Sequence, residues 1–114
     1  MTQYLISFDE GAMRVSEEDL PAVTEATVAV VRAAMDAGAW VFGGGLTPRD
    51  GTSVVSTDGT IADAPDPASK QYLGGFSIVD VPTREEALQW AAKLAVACRC
   101  AQEVRELLPA PPDL

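Results

Sequence analysis

The sequence predicts an α+β fold with the split βαβ, or ferredoxin-like, arrangement, in which two β-α-β units share one antiparallel sheet. Two observations predict it. Each of two segments with helical periodicity is flanked on both sides by short segments rich in β-forming residues. The pair Asp58-Gly59, a strong hairpin signal, lies between the two units. The order of elements is therefore β-α-β, an inserted β-hairpin, and β-α-β.

The first unit begins with an alternating segment, residues 3–8 (QYLISF), which predicts a strand. Ser16 then precedes three acidic residues, 17–19, a pattern typical of a helix N-cap followed by an acidic first turn. Apolar residues recur at helical spacing as far as about Ala37, and Gly38 is a stop signal. We predict a helix with Ser16 as its N-cap that runs to about Ala37.

The middle of the chain is rich in glycine and turn residues. Residues 39–46 (AWVFGGGL) begin as a strand and run into three glycines. A turn cluster follows, and residues 52–57 with 60–61 form the two arms of a hairpin around Asp58-Gly59. Residues 63–69 contain two prolines and no periodicity, so we predict a mobile loop there.

The second unit opens with a near-continuous apolar run, residues 72–81, which predicts a central strand. Thr83 and Glu86 form a capping box after Pro82, and a second helix follows, with Ala87, Leu88, Ala91, Leu94 and Ala95 towards the core. Residues 100–107 read as the last strand. We assign residues 1–108 to a single domain and residues 109–114, with three prolines, to a loose tail.

A sheet with both helices on one side leaves its other face uncovered. In the predicted central strand, Phe76, Ile78 and Asp80 share one face, and Ser77, Val79 and Val81 share the other. Both faces carry apolar residues, so the uncovered face needs a partner. We expect a homodimer in which two sheets pack face to face as a dimeric α+β barrel.

Charge and composition exclude several kinds of function. The 114 residues include 8 Lys and Arg, 17 Asp and Glu and no histidine, which gives a net charge of -9. Such a chain is a poor ligand for nucleic acids and anionic membranes, and we expect neither as a partner. Without histidine it has no imidazole base and no His-ligated metal. We expect no cofactor and no bound metal.

The cysteines and apolar runs bear on the compartment. The apolar run at residues 4–8 is too short for a signal peptide, and no stretch approaches the roughly 20 apolar residues of a membrane span. Cys98 and Cys100 are two residues apart, so a disulfide between them would close almost no loop. We expect reduced thiols in a cytoplasmic protein.

Several residues are candidates for a site. The glycine run is followed by a turn and a strand rather than a helix, so it is not a phosphate loop. It is either a bent strand end that another backbone approaches closely, or Gly44 and Gly45 line a ligand. Asp80 either faces inward, where it needs a partner or a raised pKa, or borders Pro82 at the strand end.

The remaining candidates are charged or aromatic. Glu103 and Arg105 share a face of the last strand and form either an exposed charge ladder or, through Arg105, a carboxylate-binding group. Arg49 is a loop cation available to a pocket. Tyr72 either lines an apolar cavity or belongs to the core.

A series of short motifs spans nearly the whole chain. They are Gly44-Gly45-Leu46-x-Pro48, Thr57-Asp58-Gly59, Leu73-Gly74-Gly75-Phe76 with Asp80, Glu85-Glu86-Ala87-Leu88-x-Trp90-Ala91, and Glu103-Val104-Arg105. The series resembles the YCII-related family, and within it the DGPF branch, named after an Asp-Gly-Pro-Phe motif. The resemblance implies a ferredoxin-like fold, a dimeric α+β barrel and a site role for Asp58. Some proteins resembling this branch are fused to sigma-factor-like domains, which implies a regulatory association.

The chain departs from that pattern in two ways. Its motif reads Asp58-Gly59-Thr60-Ile61, without Pro or Phe, and the loop before Leu73 is longer than the pattern. The activity inferred for the YCII side of the family rests on a His and an Asp, and this chain has no His. That activity therefore does not transfer with the resemblance.

Three functions stay open. We favour binding of a small organic molecule in a pocket between the sheet and the helices, without demonstrable catalysis. The second is a His-independent enzyme with lyase-like or isomerase-like acid-base chemistry, in which Asp58 or Asp80 is the base and Arg105 or Tyr72 orients the substrate. The third is a regulatory or interaction module associated with transcription.

Overall fold

The computed structural model describes residues 1–63 and 72–114. In this part of the chain the helices are α1 (Leu20–Asp36) and α2 (Arg84–Cys98), and a short 3-10 helix spans Arg49–Gly51. The strands are β1 (Thr2–Asp9), β2 (Trp40–Gly45), β3 (Ser53–Val55), β4 (Ile61–Asp63), β5 (Leu73–Val81) and β6 (Glu103–Glu106). The predicted order of elements is confirmed.

Four strands form one antiparallel sheet in the order β2-β5-β1-β6. The predicted central strand, β5, lies between β1 and β2 and pairs with β1 from Val81 opposite Thr2 to Gly75 opposite Phe8. With both helices on one face, this is the ferredoxin-like α+β fold that the sequence predicted. Over the described residues the sheet of the single chain is open and forms no closed barrel.

The core lies between the helices and one face of the sheet. Tyr4 and Ile6 of β1 and Val79 and Val81 of β5 are buried there. From α2, Ala87, Ala91 and Leu94 join this cluster. Alanines let a helix approach a sheet closely, which fits the contacts of α2 with β1, β5 and β6. Of the two helices, α2 therefore contributes most of the core.

The predicted core face of α2 is partly wrong. Leu88 is 43% exposed, and Ala95 is only half-buried, whereas Ala97 and Cys98 are buried. Thr83 caps the helix as predicted, since its hydroxyl accepts a hydrogen bond from the backbone N–H of Glu86 at 3.2 Å. α1 buries only Val23 and Ala34, and it touches the sheet mainly along β2.

The prediction that Ser16 is the N-cap of α1 is wrong by three residues, because Asp19 takes that position in the structure. The Ser16 carbonyl accepts hydrogen bonds from Asp19 and Leu20, and its hydroxyl accepts one from the Asp19 N–H at 3.3 Å. Ser16 therefore closes a turn ahead of the helix. A helix from Ser16 would place Pro21 where a backbone N–H is needed, and proline has none. Starting at Leu20 puts Pro21 in the first turn, where that N–H has no intrahelical partner.

The last strand begins later than predicted. Arg99 takes a left-handed conformation with φ of 58° and ends α2. The chain turns through residues 99–102, so pairing with β1 starts at Glu103 rather than at residue 100. Cys98 is the last residue of α2, and both cysteines are free thiols. Neither helix in the described part of the chain is long and apolar enough to cross a bilayer.

The predicted hairpin is confirmed. β3 pairs with β4 in a sheet of its own, and Gly59 at the turn has φ of 87°. All six strand residues of this hairpin are exposed. Of the predicted loop over residues 63–69, Asp63 is the last residue of β4, and the remainder lies outside the described residues.

Gly43 has a close approach that forbids a side chain. A Cβ at this position would lie 2.5 Å from the Phe76 carbonyl oxygen and 2.8 Å from the Ser77 Cα. These are backbone atoms of the central strand, which cannot move without disturbing the pairing of β2 with β5. At Gly44 no atom lies within 4 Å of the Cβ position.

We expect Gly43→Ala to lower the free energy of unfolding by about 1–3 kcal/mol, the usual effect of overpacking. Gly44→Ala is the matched control and should change it by less than about 0.5 kcal/mol. Urea denaturation followed by circular dichroism measures both. Equal losses in the two variants would contradict a specific steric requirement at Gly43.

Candidate functional site

A cavity of about 550 Å³ lies between α1 and the glycine-rich end of the sheet. One wall is a face of α1, and the opposite wall is β2 with the adjoining part of β5. The lining residues are Phe8, Met13, Leu20, Val23, Thr24, Thr27, Val28, Val31, Met35, Trp40, Phe42, Gly43, Gly44, Gly45, Phe76, Ser77, Leu94, Cys98 and Gln102. The fold therefore contains a pocket between sheet and helix.

The cavity exists because the sheet carries few side chains at this end. On β2 and β5 its wall includes Gly43, Gly45 and the small Ser77. The ring of Phe8 lies against the adjacent glycines, since a Cβ at Gly74 or Gly75 would come within 2.8 Å of the ring. A bare strand surface gives α1 nothing to pack against, so a space remains between them.

The mouth of the cavity is apolar and open. Leu20, Val28 and Met35 of α1 and Phe42 of β2 line it while keeping 41–63% of their surface exposed. A cluster of large apolar side chains on a solvent-exposed surface is typical of an interaction or ligand site. Ligand pockets in general are concave and mostly apolar, with few polar groups.

The glycine candidates fall on this cavity. Gly44 and Gly45 both line it, and at both positions the space around a Cβ is open. Gly43 instead shows the close backbone approach. The close backbone approach is therefore confirmed for Gly43 alone, and a ligand-lining role for Gly44 and Gly45 stays a prediction.

Asp58 belongs to the hairpin turn and not to the cavity. Its carboxylate accepts a hydrogen bond from the Thr60 backbone N–H at 2.9 Å, the geometry of an Asx turn at the hairpin tip. That bond, with a further contribution from the Thr60 hydroxyl, holds the pKa of Asp58 below its usual 3.8. A lowered pKa makes the carboxylate a weaker base. Asp58 is fully exposed and does not line the cavity.

Asp80 lies on β5, opposite Gln3 and on the face away from the helices. Its Oδ1 atom is buried and has no hydrogen-bond partner among the described residues. It borders two pockets of about 380 and 410 Å³, the first formed with Met1 and residues 107–110 and the second with the segment after α1 and part of α2. Neither pocket includes the glycine run 43–45, and Asp80 does not line the cavity.

The charged and aromatic candidates form two further groups. The Arg49 guanidinium lies over the Tyr72 ring, 4.8 Å from its centroid, which is a cation–π contact. Glu103 and Arg105 are exposed on the edge strand β6, opposite Ser7 and Leu5. None of these four side chains lines the cavity. The structure therefore brings Arg49 against Tyr72 and leaves Glu103 and Arg105 on one face of the edge strand, but does not assemble one site from all the candidates.

The uncovered face of the sheet is a second feature. Arg105, Leu5, Ile78 and Phe42 lie in register across its four strands. Phe76 lies beside this row, and its ring centroid is 6.0 Å from that of Phe42. The face thus has an apolar centre and a charged edge, which we call the open face.

The sequence indicated neither the α1 wall nor Cys98 as part of a site. The apolar spacing of α1 is the same for a helix that fills a core and for one that borders a cavity. Cys98 lines the cavity, and its Sγ lies 3.5 Å from the Thr27 hydroxyl. Burial, and then the neighbouring Cys98, raises the pKa of Cys100 above its usual value, which favours the protonated thiol at neutral pH.

We expect an NMR titration to place the pKa of Asp58 below 3.8, with the Thr60 amide following the same transition. The lowered pKa means that this hydrogen bond stabilises the turn above pH about 4 and is lost as the pH falls through the folded pKa. Thr60→Ala removes the hydroxyl and should raise the pKa of Asp58 part of the way back towards 3.8. A pKa at or above 3.8 in the unaltered chain would refute this turn geometry.

Comparison with known proteins identifies the family. None of the curated proteins searched matches the chain significantly. A family model for the YCII-related domain matches residues 3–110. That span runs from the first strand past the last and takes in the ferredoxin-like sheet, both helices, the hairpin and the cavity. The chain belongs to the family of YCII-related domains.

Proposed function

We propose that this YCII-related domain binds a small organic molecule in the cavity between α1 and the sheet, without catalysing a reaction. The observation that supports this function is the cavity itself, about 550 Å³ with an apolar lining and an open mouth. Its volume is within the range of about 300–1,000 Å³ that is usual for small-molecule sites. We also propose membership of the DGPF branch, which the order of motifs and the Asp58-Gly59 turn support.

The alternative of acid-base catalysis lacks this support. Neither carboxylate candidate, Asp58 or Asp80, lines the cavity. A catalytic base must come within hydrogen-bond reach of its substrate. A molecule held against Gly45 and α1 would contact hydroxyls, a thiol and apolar groups, none of them an ordinary base at neutral pH.

We further propose that the open face joins two copies of the chain as a dimeric α+β barrel. An isologous interface places the same patch of both copies in contact, so the patch must complement itself. The open face has an apolar centre formed by Leu5, Ile78 and Phe76, which suits burial against its own copy. At its edge, Glu103 and Arg105 give one charge of each sign, so two copies related by a two-fold axis can pair them.

Blocking the cavity tests the binding proposal. Thr24→Trp places a large ring at the lining of α1, and Thr24 is exposed, so the helix should still fold. Glu25→Trp is the matched control, because the neighbouring Glu25 is exposed and does not line the cavity. We screen small organic molecules by thermal shift, and analyse the purified protein by native mass spectrometry for a bound molecule.

We expect ligand binding in the unaltered chain and in Glu25→Trp, and its loss in Thr24→Trp. A ligand at a hundred times its Kd stabilises the native state by about 2.7 kcal/mol, which a thermal shift detects readily. The proposal fails if no molecule copurifies or stabilises the unaltered chain, or if Thr24→Trp binds as well as Glu25→Trp.

Exchanging charges tests the dimer. Glu103→Arg and Arg105→Glu each leave the edge of the open face with charges of one sign, which repel across an isologous interface. Each should weaken dimerisation about tenfold in sedimentation equilibrium, and the double variant, which restores one charge of each sign, should recover most of the loss. A monomeric unaltered chain at micromolar concentration would rule the dimer out.

A further inference from the structure

The described lining of the cavity lacks charge. Among residues 1–63 and 72–114, its side chains come from β1, the segment after it, α1, β2, β5, the end of α2 and the turn after it, and none of them is Asp, Glu, Lys or Arg. In the whole chain 22% of residues are charged. An ion bound against this wall would lose its hydration without gaining an opposite charge, which is strongly unfavourable. The wall therefore selects against ionised ligands.

The nearest ends of the two helices do not supply a charge either. Arg99 follows Cys98 directly, but its guanidinium donates to the Asp19 carboxylate at 2.9 Å. This ion pair joins the residue before α1 to the residue after α2, so the cation is directed to Asp19. Along α1, Glu25, Arg32 and Asp36 are exposed and lie outside the lining.

Polar groups on the wall are few and neutral. The Thr27 hydroxyl already donates to the Val23 carbonyl at 2.8 Å, and the Gln102 amide donates to the Cys100 sulfur at 3.5 Å. The hydroxyls of Thr24 and Ser77 can each donate or accept a hydrogen bond. A ligand with one or two neutral polar groups could form hydrogen bonds with these two hydroxyls. The rest of its surface would contact apolar side chains.

We infer that the ligand is an uncharged, largely hydrocarbon molecule with at most one or two hydroxyl or carbonyl groups. This inference rests on the proposed binding function. At about 30 Å³ per small group, the cavity of about 550 Å³ holds on the order of 15 non-hydrogen atoms. Burial of apolar surface provides the affinity, and the hydroxyls of Thr24 and Ser77 orient the polar end.

Matched probes that differ only in charge test this inference. N-phenyl-1-naphthylamine, an uncharged fluorescent compound, reports on the cavity, and decan-1-ol, decanoate and decylammonium compete with it at neutral pH below their micelle concentrations. We expect the alcohol to displace the fluorophore at a concentration at least tenfold lower than either ion. Equal or stronger competition by an ion overturns the ligand class and leaves the binding proposal standing. Failure of all four compounds to bind counts against both.

Two pairs of variants tie the result to the cavity. Gly45→Leu adds a side chain at a lining position with open space, and it should abolish binding of the fluorophore. Val41→Leu, on the same strand but outside the lining, should not.

Thr24→Lys places a cation at the wall of the cavity and should improve competition by decanoate about tenfold. Ala33→Lys, with the same charge change on an exposed part of α1 away from the lining, should not. If both lysine variants act alike, the preference reflects net charge, and the inference is wrong.

Discussion

The glycine-rich end of the sheet determines both the close pairing of β2 with β5 and the cavity beneath α1. Gly43 must be glycine because the backbone of β5 occupies the place of its Cβ. Gly74 and Gly75 leave room for the ring of Phe8, which closes that end of the sheet. The same lack of side chains keeps β2 tightly paired with the central strand and leaves the volume beneath α1 unfilled. Close strand packing and the cavity are thus two results of one constraint.

The two helices have different places in the structure: α2 packs in the core and α1 borders the cavity. α2 is capped by Thr83 and sets small residues, Ala87 and Ala91, against the sheet, so it forms the core. α1 begins at Leu20, buries only Val23 and Ala34, and borders the cavity with apolar residues that include Val28, Val31 and Met35. A helix with few buried side chains can adjust its position at low energetic cost, which supports the proposed binding role of the cavity.

Charge is separated from the cavity in this fold. The Asp58 carboxylate is engaged in a turn, Arg49 lies over an aromatic ring, and Glu103 and Arg105 lie at the edge of the open face. The family's proposed His-Asp chemistry requires a residue that this sequence lacks. In the part of the chain that the structure describes, the cavity lining contains no carboxylate, and the sequence contains no histidine. This composition supports the proposed binding function over proton transfer.

The sequence by itself determined the order of elements, the central place of β5, the hairpin at Asp58-Gly59 and the cap at Thr83, because these depend on local patterns and short spacings. It also determined the family, through motifs spread along the chain. Only the tertiary structure decided that Gly44 and Gly45 line a cavity while Asp58, Asp80 and Arg105 do not. The physical reason is that periodicity gives the face on which a residue lies. Whether that face meets a partner, solvent or empty space depends on the size of side chains distant in sequence, here the glycines opposite α1.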